Sequence, residues 1–377
     1  MRKINFCLSL IGMVAIISSS CSKKIDEAYA NPNADVRVPV EQLLPQIVSA
    51  MAANYAGHGT MNDIRYVGQY VQYWQYHAAG SNFDRMGYTN NVADVAQSTW
   101  RMHYYDIGQN NQRMMQWAAE EKKWDYVGVG KAIEAWSWLT LTDYYGEVIL
   151  KEAFNTNLLT FHYDTQEEVY AYVKKLCFEA LENLNKTGDN VSQTNLAKGD
   201  QYFYNGDVNK WKKFVNGVLA RTHHHLTNKQ SYKPDSVIYY ANQSITTNAD
   251  NAMVKFAGGS LSASNNFFGP FRGNLAGVST TAPTAIRQAE YIVNLMTGNN
   301  PAFTDVEDPR AIYLLRTNVN GTFKGLKPNK GQFDLPANDR PENFWGVAQN
   351  GTSANNTAPS TDANARLFSE IRLPFQL

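Results

Sequence analysis

From about residue 40 to residue 229 the sequence is a succession of helical stretches, each with its own start or stop signal. "VEQLLPQIVSAMAANY" opens the series, and its Pro45 fits a helix only near the first turn. "DVAQSTWRMHYYDIGQNNQRMMQWAAE" and "WDYVGVGKAIEAWSWLTLTDYYG" follow as long helices, the second closed by Gly146. Thr165 and Glu168 form a capping box at the head of "TQEEVYAYVKKLCFEALENLN", whose Val169, Val173, Leu176 and Ala180 make one apolar stripe. Asp207 caps "DVNKWKKFVNGVLARTHHHLTN", with Trp211, Val215, Val218 and Leu219 inward. Segments of this kind pack as antiparallel helical hairpins, so the fold class is mainly α.

The texture changes near residue 250. "FAGGSLSASNNFFGPFRGNLAGVS", two short helical candidates and an Asn-, Pro- and Gly-rich coil over 318–366 describe an irregular, loop-rich half, where a rigid scaffold places binding. At the other end, Arg2 and Lys3 precede an apolar stretch from Leu8 to Ile17 and the small residues Ser18 to Ser20, the pattern of an export signal over residues 1–20. Cys21 then stands where a lipobox places its acylated thiol, although Ser18 replaces the usual apolar residue. Residues 21–39, polar and containing Asn31-Pro32-Asn33, read as a tether, and residues 40–377 as the folded domain. The chain ends on the apolar run "RLFSEIRLPFQL", which suggests an incomplete domain.

Charge narrows the ligand class. The 34 basic residues equal the 34 acidic ones, so no net field draws the chain to nucleic acid. Only 18% of residues are charged while 12% are aromatic, a surface suited to neutral, hydrogen-bonding ligands. Of the 3 cysteines, Cys7 leaves with the signal and Cys21 is lipidated. Cys177 then remains alone as core filler, and no disulfide can form in the mature chain.

Several stretches, taken in order, resemble the SusD/RagB family, in its SusD-like, starch-binding outer-membrane lipoprotein branch. They are "KAIEAWSWLTLTDYYGEVILKEAF", "YDTQEEVYAYVKKLCFEALENL", "DQYFYNGDVNKWKKFVNGVLAR" and the "DPR" of Asp308 to Arg310. Ile149 departs from the family pattern, which has Pro after the Tyr-Gly turn, and the His run replaces an ordinary helix tail. The resemblance implies tetratricopeptide-like helical hairpins with an irregular loop-rich ligand-binding lobe. It also implies a lipid anchor in the outer membrane at the cell surface, a SusC-type TonB-dependent transporter as partner, and no catalysis. The cargo it implies is oligosaccharide, or peptide as in the RagB branch; a secreted glycoside hydrolase is the remaining alternative.

Residue patterns for chemistry are weak. His223, His224 and His225 are consecutive, and helix neighbours point about 100° apart, so they do not face one ion. Asp143 and Glu147 flank a helix exit at Gly146 and read as a solvated helix end rather than a glycosidase pair. Asp305, Glu307 and Asp308 lack the Gly and bidentate Glu of a calcium loop and fit orienting Arg310 or capping a helix. No Gly-rich phosphate loop, G-x-S-x-G elbow or H-E-x-x-H motif occurs, and no cofactor or metal is expected.

The aromatic residues carry the signal. Sugars lay a C–H face on an aromatic ring while Asn, Asp and Arg take hydroxyls. Three rings at ~0.5–1.5 kcal/mol each give about millimolar affinity, which suits capture and release. Asn82, Phe83, Asp84, Arg85 and Tyr88 form one candidate loop, and Phe267, Phe268, Phe271 and Arg272 a second, with Asn274 beside it; Trp345 is a weaker third. Two roles fit these rings: a platform for ligand, or a plug holding the loop to the core. Upstream, Tyr66, Tyr70 and Tyr73 recur at helical spacing with Val67, Val71 and Trp74 beside them, so a helix buries that face. Tyr76 falls opposite with Gln69 and Gln72, which leaves Trp74 and Tyr76 at the helix exit as candidate ligand contacts.

Overall fold

In the computed structural model, residues 37–52, 68–80, 98–254 and 286–341 are described. Cys21, the signal, most of the tether, both candidate aromatic loops, Trp345 and the terminal apolar run lie outside them. The chain divides after Pro39, and all that follows concerns the unit Val40–Leu377.

Helix α1 spans Val40–Ala52, and after one helical turn at Gly68–Tyr70 comes strand β1, Trp74–Tyr76. Helix α2 (Ser98–Arg101) runs through a π-helical segment, Met102–Gly108, into α3 (Gln109–Glu120). Then follow α4 (Trp124–Tyr145), α5 (Gln166–Leu184), α6 (Gln193–Asp200), α7 (Val208–His224) and α8 (Pro234–Asn242). Strand β2 (Ile286–Gln288), helix α9 (Glu290–Met296) and the short α10 (Ala311–Leu314) belong to the irregular half. The protein is mainly helical, as its sequence periods predict. Pro45 departs from its expected place near the first turn: it sits in the second turn of α1, leaving no N–H for the Glu41 carbonyl. That carbonyl instead borders α6 at Gly199, where an added Cβ would lie 3.1 Å away.

Helix α4 organises the helical half. Seventeen of its 22 residues are buried, on every side of the helix, so it must be enclosed rather than laid on a surface. It packs against α3, α5 and α7, while α1 packs on α3 and α6, and α8 on α7. Three residues join α3 to α4, which makes that pair a hairpin. Lys123 in this turn reaches Glu41 of α1 at 2.8 Å and Glu121 at 3.0 Å. Gly146 ends α4 at φ 75°, a conformation that costs glycine no Cβ clash, and returns its N–H to the Thr142 carbonyl.

The other local signals behave as their chemistry requires. Thr165 accepts from the Glu168 N–H while Glu168 accepts from the Thr165 N–H at 3.0 Å, completing the capping box of α5. Asp207 accepts from the N–H groups of Asn209 and Lys210 at the start of α7. Val169, Val173, Leu176 and Ala180 are fully buried, as are Trp211, Val215 and Leu219, with Val218 nearly so. Cys177 is buried too, and burial raises its thiol pKa, which keeps it unreactive. The three histidines diverge: His223 stacks on Tyr240 with ring centres 5.5 Å apart, His224 is exposed, and His225 lies 3.0 Å from Asp143. Asp143 also accepts from the Tyr170 hydroxyl at 2.5 Å, so it serves as a junction of three helices. Among the described residues no three His, Cys, Asp or Glu side chains gather as a metal set, and no helix is long and apolar enough to cross a membrane.

Asp200, at the end of α6, is a buried junction within "DQYFYNGDVNKW". One carboxylate oxygen accepts from the Tyr204 N–H at 3.1 Å; the other accepts from the Gly206 N–H at 3.0 Å and the Trp211 indole N–H at 2.9 Å. Burial pushes this carboxyl up to about 6 against the pull of those donors. In Asp200→Asn, either rotamer turns an NH2 group on at least one N–H donor. The expected loss at pH 7 is ~2–4 kcal/mol by urea unfolding. The folded pKa stands above the unfolded value, so the wild type gains relative stability as pH falls from about 6 towards 4, and the gap to Asp200→Asn widens by at most about 1.4 kcal/mol per pH unit. A gap that stays constant or narrows contradicts this account.

Candidate glycan-binding site

The stretch "GQYVQYWQY" does not continue as a helix. After the turn at Gly68–Tyr70, Gln72 takes a left-handed φ of 57°. The Tyr73 N–H then bonds the Gly68 carbonyl at 2.7 Å, and the Gln72 N–H bonds the Gln69 carbonyl at 3.0 Å. This is a Schellman ending with a glutamine where glycine usually stands. The chain leaves it extended, as β1. Tyr70 and Tyr73, expected to be core, are 39% and 50% exposed, and Val71 is 45% exposed. Gln69 and Gln75 are buried in their place. Tyr66 and Val67 lie outside the described residues.

The strand changes what Trp74 and Tyr76 can do. Alternation puts the two rings on one face and Gln75 on the other, whereas helical spacing separates them. Both are half-buried, and an added Cβ at Gly68 would lie 2.2 Å from the Trp74 ring, so the indole lies on that helical turn. Two positions on one strand face, ~7 Å apart, can both meet one extended ligand, which two sides of a helix cannot.

Strand β1 pairs antiparallel with β2 in the register Trp74↔Gln288, Gln75↔Arg287 and Tyr76↔Ile286. This register sets residue 286, the first described one after 255–285, beside Tyr76. Ile286 is the first described residue after the Phe267–Arg272 stretch, and Tyr76 lies four residues before Gly80, the last described residue before Asn82. At ~3.4 Å per residue, Gly80 is therefore within about 14 Å of Tyr76 along the chain. The stretch between is fixed: the Gln332 N–H bonds the His77 carbonyl at 2.7 Å, and the Gly80 N–H bonds the Asn329 side chain at 2.9 Å.

The ribbon is three residues per strand, too short to hold by itself. Gln288 completes it. Its side chain is 2% exposed, donates to the carbonyls of Arg316 at 2.8 Å and Lys324 at 2.7 Å, and accepts from the Arg316 N–H at 2.7 Å. The Leu326 N–H bonds the Gln288 carbonyl and the Glu290 N–H bonds the Leu326 carbonyl, so three segments meet at β2. Nearby, Asp305, Glu307 and Asp308 border a cavity of about 930 Å³ with Asn299, Phe323 and Ile312. Asp308 is committed to Arg310, whose guanidinium and N–H hold the carboxyl down to about 2. This is the orienting role its sequence context suggested.

With this geometry in view, comparison with known proteins is decisive for the family. Residues 32–352 match the SusD-like family described as starch-binding and associating with the outer membrane, and the chain belongs to that family. A search of curated proteins finds no match. Among solved structures, a SusD homolog from Bacteroides uniformis superposes with a TM-score of 0.61 at 21% identity, covering 82% of this chain and 62% of that one. A chitin-binding protein gives 0.59 at 20% identity, with 82% and 62% covered. A chitin-binding SusD homolog from Flavobacterium johnsoniae gives 0.59 at 16%, with 76% and 57% covered. The chain thus spans less than two thirds of the length of these relatives, and at such identities they establish the fold alone.

Sequence reading missed Gln288, whose three side-chain hydrogen bonds go to two residues remote in the chain, Arg316 and Lys324, and the aromatic group of Trp100, Tyr104 and Phe154. The second had a signal: Phe154 is followed by Asn155 and Thr156, the same ring-and-amide adjacency that marked the other loops. Gln288→Leu removes three hydrogen bonds and should destabilise the ribbon by ~2–4 kcal/mol. Amide exchange at Ala289 and Leu326 should quicken while the α4 amides stay protected. Equal loss of protection in both regions would show instead that the ribbon does not open independently.

Proposed function

We propose that the protein is a cell-surface lipoprotein that captures oligosaccharides and passes them to a SusC-type TonB-dependent transporter of the outer membrane. The observation that carries this reading is the family match over residues 32–352. The ribbon supports it by setting Trp74 and Tyr76 on one face of β1. In this reading Trp74, Tyr76, Phe83, Tyr88, Phe267, Phe268 and Phe271 offer stacking faces. Asn82, Asp84, Arg85 and Arg272 take ring hydroxyls. Cys21 carries the lipid.

The absence of net charge fits this cargo, since a neutral glycan needs no electrostatic steering. Weak stacking fits capture followed by delivery, because a ligand held at about millimolar strength leaves quickly enough to be transported onward. The names of two similar structures, both chitin-binding, make β-linked amino sugars a cargo to test beside starch.

Affinity electrophoresis in gels containing soluble starch or glycol chitin tests the cargo. At least one polymer should retard the wild type, and Trp74→Ala and Tyr76→Ala should each weaken retardation about two- to twelve-fold, the worth of one stacked ring. Unretarded migration through every neutral glycan, with peptides co-purifying instead, overturns the carbohydrate reading. The anchor is tested separately. Cys21→Ser should move the expressed protein from the membrane fraction to the soluble one, and retention in the membrane would refute lipidation at this residue.

A further inference from the structure

A second aromatic cavity lies in the helical half, away in sequence from the ribbon. It has a volume of about 330 Å³, with Trp100 and Tyr104 on the helical side and Phe154 and Phe161 on the loop between α4 and α5. Gln109, Asn155 and Thr156 complete its polar edge, and among the described residues no charged side chain lines it.

Three features show that this cavity is built rather than left over. The loop is stapled at its base: Val148 and Asp164 pair backbone to backbone, and Asp164 accepts from the N–H groups of Leu150 and Lys151 at 2.8 and 2.9 Å. Further along, Glu152 accepts from the His162 N–H at 2.7 Å, and the Tyr104 hydroxyl donates to the Ile149 carbonyl at 2.7 Å. Second, Phe154 holds a left-handed φ of 63°, rare for an aromatic residue and sustained only where the surroundings enforce it. Third, the opposite wall is the π-helical segment Met102–Gly108, a rare form often found at functional sites. The two irregularities meet, because an added Cβ at Gly108 would lie 2.4 Å from the Phe154 ring. Beneath them His103 is 2% exposed; its Nδ1 meets Ser137 at 2.7 Å and its Nε2 has no hydrogen-bond partner among the described residues.

We propose that this cavity is a second carbohydrate subsite, taking one or two neutral sugar rings independently of the ribbon; the proposal rests on the glycan-capture function. The lining selects the chemistry. A charged ligand would lose water against walls that return no counter-charge. A wholly apolar ligand would leave Gln109, Asn155 and Thr156 facing it unpaired. A sugar ring offers a C–H face to the aromatics and hydroxyls to the amides. Asn155 is arranged for donation, since its side-chain oxygen already accepts from the Asn157 N–H at 3.1 Å, leaving the NH2 group. The volume stands at the lower end of small-molecule pockets, ~300–1,000 Å³, which admits a short segment rather than a wound chain.

The test is 19F NMR on the full-length protein with 5-fluorotryptophan at its 8 tryptophans, Trp74 and Trp100 being assigned through Trp74→Phe and Trp100→Phe. Maltoheptaose, chitohexaose, cellohexaose and xylohexaose are titrated in turn. At least one should shift the Trp100 signal with saturation, and still do so in Trp74→Ala. Phe154→Ala should weaken that response about two- to twelve-fold. Thr156→Arg, an exposed substitution that spares the core, should abolish the Trp100 response while the Trp74 signal still moves. Silence at Trp100 with a response at Trp74 overturns this subsite and leaves the ribbon reading standing. Silence at every tryptophan with all four glycans overturns both. A Trp100 shift with purified transporter but with no sugar also overturns the proposal, since the cavity is then a docking face.

Discussion

Because α4 is buried on every side, its apolar surface alone would let the neighbouring helices slide and rotate around it. Polar groups on α4 remove that freedom. Glu134, 5% exposed, accepts from Gln112 of α3 at 3.0 Å and from Tyr172 of α5 at 3.3 Å. Ser137 meets His103 of the π-helical segment, and Asp125 accepts from the Ser192 N–H at 3.1 Å, placing the start of α6. The Thr142 carbonyl takes the Gln166 side chain at 2.8 Å and so sets where α5 begins. Each contact is worth little on its own, but an unpaired partner in this interior costs more than the bond gains, so a slide or rotation that breaks these contacts is penalised. Enclosure supplies the stability and the polar set supplies the register.

The irregular half solves a different problem. It has little regular structure to satisfy its backbone, so side chains do it: Gln288 for the Arg316 and Lys324 carbonyls, Asn318 for the N–H groups of Asn320 and Thr322, and Asn329 for Gly80. Among the described residues its apolar cluster is small, centred on Val293, Met296, Ala311 and Leu315, whereas the cluster around α4 draws on nearly every helix from α1 to α7. Regions with few buried apolar contacts open more readily than the core. The ribbon that carries Trp74 and Tyr76 therefore stands on the half with the smaller described core, apart from the helical scaffold.

The helical half was legible because its signals are local. A capping box, an Asp cap, a Gly ending and a stripe at 3.6 spacing each depend on residues within a turn or two, and Thr165, Asp207, Gly146 and Val169–Ala180 act as written. The stretch around Trp74 was misread for an equally physical reason. Tyr66, Tyr70 and Tyr73 fit helical spacing, and only the left-handed Gln72 breaks it, a conformation that no composition rule assigns to glutamine. The strand then depends on β2, more than 200 residues away in the chain. The π-helical segment was hidden likewise, since "DVAQSTWRMHYYDIGQNNQRMMQWAAE" reads as one continuous helix, and the Phe154 ring that packs beside its end at Gly108 comes from 46 positions away.

Local strain at Phe154 and the π-turn beside it costs of order 1–3 kcal/mol for the φ value alone. A loop free to relax would shed that cost by letting the ring swing out. Holding it against that are Asp164, which takes both the backbone at Leu150–Lys151 and the Lys151 ammonium at 2.9 Å, and Glu152, which takes His162. Rings held in this way cost less to order on binding. For a neutral polymer whose repeats present the same face again and again, the two proposed sites, each weak, would have an advantage over a single tight one. Rebinding at the second site is governed by the polymer's own effective concentration, so the chain is retained while each contact is lost quickly. Retention with fast local release is the kinetic property that a capturing protein needs if it is to hand its cargo on rather than keep it.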